Sequence, residues 1–373
     1  MNERSSKMGR PRAMPDNGMW REEQPPSPAP GQKPVSAKPA VEFKSAAAFC
    51  AEYTPLSYAI EPIVRSSSLY TLTAKTGAGK TAFLVVAALA IATGRPDILG
   101  LDVNRGRVAY LAFENPDDAR MRFKVAAFLL NIDIDELSDD LVILDMRVKP
   151  EEVVTKLNAM AKQRPFSLVL VDTLAAFFDG DNINDNVQGG EFMRRVRPLT
   201  RIDGLPSVVV AAHPVKNAAE DNLVPYGGGA ILNEVDGNLC LAKQPESGLV
   251  TLHWQGKLRG LEFKPAFFRF EITGSPDVLD AKGRQVQLPT MRPSAEEFAE
   301  ERQAAEIDIS IALLKAMLAE PAGTQAAWGA AIGRTKSIVN RKLQTLQRQK
   351  LVESTLGKWT ITAKGKGALV EAK

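Results

Sequence analysis

Residues 74–81 read Ala74-Lys75-Thr76-Gly77-Ala78-Gly79-Lys80-Thr81. The octapeptide follows a run with strand character, Ser68 to Thr73, and opens an apolar run of helical length, Lys80 to Thr93. A glycine-rich turn between a strand and a helix is the setting of a phosphate-binding loop. Gly77 and Gly79 let backbone N–H groups approach a phosphate with no side chain in the way, and the helix N-terminus adds partial positive charge. Lys80 would reach the β- and γ-phosphates of a bound nucleotide, and the Thr81 hydroxyl would bind Mg²⁺. The usual pattern begins with Gly, whereas this one begins with Ala74.

Outward from the loop, short apolar runs alternate with amphipathic stretches. Strands are expected at Val108 to Phe113, Leu141 to Asp145, Phe166 to Val171 and Ser207 to Ala212. Helices are expected at Asp117 to Leu130, Pro150 to Gln163 and Gln188 to Arg201. Strands alternating with helices predict an α/β fold whose parallel sheet is covered on both faces. Asn238 to Ala242, Leu249 to Trp254 and Phe267 to Ile272 read as strands without helices between them, an antiparallel extension of the same sheet.

Three carboxylate or imidazole positions end strands at one expected sheet edge. Asp172 ends the apolar strand Leu168 to Val171, where a Mg²⁺-linked carboxylate belongs. Glu114 follows Phe113 and could orient an attacking water. His213 follows Ala212 and could sense the γ-phosphate. The second histidine, His253, lies mid-strand and reads as structural.

The ends of the chain differ from this core. Residues 1–43 read as a disordered tail: residues 1–40 hold eight prolines and no Ile, Leu or Phe, too little apolar surface to offset ordering. Residues 274–304 read as a linker, broken by Pro289 and Pro293 and ending in a capping box, Ser294 with Glu297, that starts a helix. Residues 305–373 carry 11 Lys/Arg against five Asp/Glu, an asymmetry that suggests an anionic partner. Ile307, Ile311, Leu314 and Leu318 have helical spacing, a short helix covers about Gln325 to Ile332, and Thr335 caps a third over Lys336 to Gln349. Leu351-Val352 and Trp359 to Thr362 then flank a turn. Three helices and a two-stranded hairpin are the layout of a winged helix-turn-helix. Lys336, Asn340, Arg341 and Arg348 lie off the apolar Val339/Leu343/Leu346 face and Lys358 on the wing, as duplex DNA contact requires. Such domains also dock proteins, so a replication protein is the other partner considered.

The near-neutral total, 47 Lys/Arg against 44 Asp/Glu, excludes little. Two cysteines, Cys50 and Cys240, make no disulfide framework or metal cluster. No apolar run reaches the roughly 18 residues of a membrane span, and the N-terminus has no signal-peptide core. A cytoplasmic protein without a membrane partner is expected.

The order of the loop at 74–81, Phe113-Glu114, Val171-Asp172-Thr173-Leu174 and His213-Pro214-Val215-Lys216 resembles the RecA-like ATPases. Among them it most resembles the plasmid RepA-type hexameric replicative helicases, over about residues 44–272. The resemblance implies a RecA-like P-loop core at 44–273 using ATP and Mg²⁺, with Glu114 as catalytic base, Asp172 as the Walker B carboxylate and His213 as sensor. It implies that the glycine-containing loop Lys216 to Gly229 faces single-stranded DNA, where Lys216 could contact phosphate and Tyr226 could stack on a base. It implies further that Arg259 is an arginine finger and Lys257 its companion, both entering a neighbour's site, and hence a homo-oligomer, a hexameric ring. Two alternatives stay open beside a DNA motor: an ATP-gated DNA-binding regulator or initiator without unwinding, and an ATPase that coats DNA.

Overall fold

The computed structural model describes residues 43–219, 222–355 and 358–371, with the side chains of Gly228, 296–306 and 370–371 left aside. The expected disordered tail therefore lies outside the described residues except for Phe43. The chain divides into two units, residues 1–55 and 56–373. In the first, α1 (Ala46–Ala51) is capped by Ser45, whose hydroxyl accepts the Ala48 amide at 3.2 Å. The boundary expected at residue 44 thus falls inside this unit.

The second unit opens with a small hairpin, β1 (Tyr58–Ile60) and β2 (Val64–Arg65). The strand β3 (Leu69–Ala74) follows, then α2 (Lys80–Thr93), β4 (Arg107–Ala112), α3 (Pro116–Leu130), β5 (Leu141–Leu144), α4 (Pro150–Ala161) and β6 (Phe166–Asp172). After α5 (Leu174–Phe177), α6 (Asn186–Val196), β7 (Ser207–Ala212) and α7 (Gly228–Glu234) come β8 (Gly237–Lys243), β9 (Leu249–Leu258), β10 (Ala266–Thr273) and β11 (Leu288–Pro293). One nine-stranded sheet holds them in the order β11-β10-β9-β8-β3-β7-β6-β4-β5. The six strands from β8 to β5 run parallel, and β9 to β11 extend the sheet antiparallel.

The parallel strands are apolar on both sides because helices cover both. One face packs α2 and α3, through Leu84, Leu89, Phe123 and Ala126 among others. The other packs α4 to α7, through Leu157, Phe192, Met193 and Ile231. Twelve of the 14 residues of α2 are buried, so this helix is held by packing all round and not by an amphipathic stripe. Leu84→Ala is expected to lower the unfolding free energy by about 2–5 kcal/mol, read from the shift of a urea midpoint at constant slope.

Residues 274–304 do not form the expected linker, because β11 lies within them as the outer strand of the sheet. Pro289 and Pro293 read as breakers, yet an edge strand tolerates proline. They pair in register with Ile272 and Phe268, and Leu288, Thr290 and Met291 are buried. The antiparallel region gains β11 but not β8, because Asn238 to Ala242, expected as its first strand, runs parallel to β3. The helix expected at Gln188 to Arg201 starts earlier, at Asn186, and gives way to a 3-10 turn at Arg197–Arg201.

The C-terminal elements are α8 (Ala295–Ala319), α9 (Gln325–Ala331), α10 (Lys336–Arg348), the antiparallel hairpin β12 (Val352–Thr355) and β13 (Lys358–Ile361), and α11 (Ala363–Glu371). They share a core of Leu313, Leu314, Met317, Trp328, Val339, Leu343, Leu346, Val352 and Leu369. Ser294 stands at the N-cap of α8, while the Glu297 side chain of the expected capping box lies outside the described residues. The buried stripe of α8 is displaced from expectation: Ile307 and Leu318 are exposed, and Leu313 and Met317 are buried instead. The terminal helix α11, which supplies Leu369 to this core, was not expected.

Candidate active site

The phosphate loop leaves the C-terminal end of β3 and enters α2. Ala74 needs no glycine's freedom: it ends the strand and is fully buried in the core. Gly77 and Gly79 have φ of 79° and 94°, the left-handed region that favours glycine. At Gly79 space is also closed, since an added Cβ would run into Met291 and the Phe270 ring. Lys75, Thr76 and Gly77 are exposed, and Ala78 and Lys80 are buried. Gly79→Ala is therefore expected to weaken nucleotide binding by roughly tenfold or more, given about 1–2 kcal/mol of left-handed strain besides the displaced Met291; titration with a fluorescent ATP analogue measures it.

Parallel pairing carries the other groups to the same sheet edge, because β4, β6 and β7 all point that way beside β3. The result is a cleft of about 270 Å³ lined by Thr76, Gly77, Gly79, Lys80, Thr81, Glu114, Asp172 and His213, with further walls described below. Lys80 Nζ donates to the Ala74 carbonyl at 3.0 Å and lies 3.4 Å from His213 Nδ1. Burial pulls the Lys80 pKa down, opposed by the negative fields of Asp172 and Glu114. The His213 pKa is likewise pulled down by burial and by Lys80, opposed by Glu114. Burial pushes the Asp172 carboxyl up, opposed by Tyr110 and Thr81, while Glu114 raises it further. Lys80, Asp172 and His213 are thus each shifted by burial and by a charged neighbour at the cleft.

Glu114 is exposed to the cleft, and its backbone N–H donates to the Asp172 carbonyl at 3.0 Å. This ties the end of β4 to the end of β6. Asp172 Oδ2 accepts from the Tyr110 hydroxyl at 2.8 Å, whereas Oδ1 is buried without a hydrogen-bond partner. An orphaned carboxylate oxygen beside the Thr81 hydroxyl fits Mg²⁺, which takes one or two carboxylates together with substrate phosphates. Among the described residues no group of three His, Cys, Asp or Glu could hold a metal on its own.

Four cleft residues carry no sequence signal of their own. Asn115 caps α3, its side chain accepting the Asp118 amide at 3.1 Å. Arg122 Nε donates to Asp118 at 2.5 Å, and Arg122 also reaches the Pro289 carbonyl at 3.3 Å. Phe270 of β10 and Pro289 of β11 complete the wall. The Lys243 ammonium sits 3.4 Å from the centre of the Phe270 ring. Phe270 and Pro289 belong to the antiparallel extension, whose folding back beside the loop only the full sheet order reveals.

Residues 36–219 match the family model of the AAA domain. The AAA match covers the loop, Glu114, Asp172, His213 and Lys216, and it supports an ATPase core of RecA-like type. It ends before Tyr226, Lys257, Arg259 and the C-terminal elements. No curated protein matches the chain.

The remaining expected residues lie away from the cleft. Lys216 is exposed. Tyr226 is half-buried; its hydroxyl accepts from Asn184 at 2.7 Å and its N–H donates to the His213 carbonyl at 2.7 Å. The segment expected as one glycine-containing loop ends sooner, because Gly228 and Gly229 open α7 behind a left-handed Gly227; residues 220–221 lie outside the described ones. The Asp179–Asn186 segment is held from both sides. Arg195 pairs with Asp179 at 2.7 Å, and Asn184 is tied to Tyr226. Lys257 Nζ donates to the Asn233 carbonyl at 2.5 Å, and Arg259 pairs with Asp236 at 3.0 Å. Lys336, Asn340, Arg341, Arg348 and Lys358 are all exposed. Among the described helices none is long and apolar enough to cross a membrane.

Proposed function

We propose that the chain is an ATP-hydrolysing DNA motor of the plasmid RepA-type helicase kind, working as a hexameric ring. The observation that carries the ATPase half is the convergence of Lys80, Thr81, Glu114, Asp172 and His213 on one cleft at the phosphate loop. Bound Mg²⁺ would supply charge neutralisation on the β- and γ-phosphates; Thr81 and Asp172 Oδ1 would hold it. The loop amides and Lys80 bind the phosphates, and Lys80 exchanges its Ala74 carbonyl for a phosphate oxygen. Glu114, open to solvent, orients the attacking water. His213, beside Lys80, reports phosphate occupancy to the segment that begins at Pro214. The base would lie toward Arg122, Phe270 and Pro289.

The ring half rests on topology. Leu258 pairs with Gly237, and Gly237 pairs with Tyr70 near the start of β3. The phosphate loop leaves the other end of that strand. Lys257 and Arg259 therefore face away from their own chain's phosphates, and a neighbour's site is where a finger could act. On this reading Lys216 and Tyr226 face single-stranded DNA in the channel.

We read the C-terminal elements as a winged helix. Its α10 buries Val339, Leu343 and Leu346 and exposes Lys336, Asn340, Arg341 and Arg348, a basic face suited to duplex phosphates. The same face supports the second reading, an ATP-gated DNA-binding regulator or initiator without unwinding, or docking of a replication protein. An unwinding assay on a forked duplex separates them: strand separation supports the motor, and ATP-dependent duplex binding without separation supports the regulator.

A further inference from the structure

We infer that Tyr110 is the positioning residue for the metal-binding carboxylate, committing one oxygen of Asp172 so that the other is presented to Mg²⁺. The inference rests on the reading of Asp172 as that carboxylate. Tyr110 sits in β4 with none of its surface exposed. Its ring packs edge-on against Phe123, centroids 5.0 Å apart at 82°. Packing alone would be served by phenylalanine. A buried hydroxyl costs stability unless it is partnered, and this one has a single directed use, donating to Asp172 Oδ2 at 2.8 Å.

The backbone of the same strand end completes the hold. The N–H groups of Phe113 and Glu114 donate to the Asp172 carbonyl at 2.9 and 3.0 Å. The end of β4 thus fixes Asp172 by its main chain and by one carboxylate oxygen. The second oxygen, Oδ1, is left buried, unpartnered and at the cleft. With Oδ2 engaged by Tyr110, Oδ1 is the oxygen left for a metal at the cleft. Loss of a partner that orients a metal ligand typically costs roughly 10–100-fold in metal affinity.

The test uses the full chain and a fluorescent ATP analogue, titrated with Mg²⁺ and, separately, in excess chelator. For Tyr110→Phe the Mg²⁺ half-saturation point is expected to rise roughly tenfold, with nucleotide affinity in chelator unchanged. Phe123→Leu, which loosens the packing but keeps the hydroxyl, is expected to lower the melting temperature without moving the Mg²⁺ midpoint. An unmoved midpoint in Tyr110→Phe, or an equal loss of affinity in chelator, would overturn the inference. Should that variant fail to fold, 3-fluorotyrosine placed at position 110 of the otherwise unaltered chain gives a ¹⁹F signal. That signal should move with Mg²⁺ in the presence of nucleotide and not with nucleotide alone; a signal blind to the metal overturns the inference. If the unaltered chain binds nucleotide with no Mg²⁺ dependence, the reading of Asp172 itself fails, and the inference with it.

Discussion

Glu114→Gln is expected to bind ATP and fail to turn it over. Loss of a positioned base costs roughly 10²–10⁴-fold in turnover. Binding should survive because Glu114 contributes no phosphate contact; its carboxylate is open to solvent, and its link to Asp172 runs through the backbone N–H, which glutamine keeps. Phosphate release and analogue binding, measured side by side, separate this outcome from that of Lys80→Ala. The lysine variant should lose binding as well, since Lys80 is the buried cation of the loop and lines the cleft. Turnover retained in Glu114→Gln would place the base elsewhere on the cleft.

Arg259→Ala is expected to cost still more, about 10³–10⁵-fold in turnover, if the residue stabilises charge on a neighbour's transferring phosphoryl group. Its effect on stability should be small. The Arg259 side chain is 64% exposed while its partner Asp236 is 10% exposed, so the loss stays small only because Asp236 keeps other partners. Asp236 keeps Arg197 at 3.0 Å and the Leu69 amide at 2.9 Å in the variant. A near-normal melting curve with lost turnover would therefore mark a role in hydrolysis. Mixing supplies the sharper readout. Inactive Lys80→Ala and inactive Arg259→Ala chains, combined, should recover partial activity, because one supplies the finger and the other the intact loop. No recovery would argue against a shared site.

Much of the cleft was legible because parallel strands announce themselves. Runs such as Phe166 to Val171 are apolar on both faces, and each ends in a polar residue at one sheet edge, which is where Glu114, Asp172 and His213 meet. The residues that local pattern hid are those brought in by pairing. Phe270 and Pro289 lie 189 and 208 residues beyond Thr81 in sequence and reach the loop only because β10 and β11 extend the sheet back over α2. Prolines at 289 and 293 suggested a linker, since nothing local distinguishes a breaker from an edge-strand proline. Gly227 to Gly229 read as the end of one glycine-containing loop, whereas Gly227 provides the left-handed turn into α7. The displaced stripe of α8 has the same origin: Leu313 and Met317 fit the helical period as well as Ile307 and Leu318 do, and the hairpin and α11 decide which pair is covered.

Steady-state ATP hydrolysis with and without single-stranded DNA, with Lys80→Ala as the blank, shows whether turnover is coupled to a bound strand. A ring motor should be strongly stimulated by single strands, and Arg259→Ala should abolish the stimulation. Hydrolysis indifferent to single strands would contradict the motor and leave an ATP-gated duplex binder acting through residues 305–373.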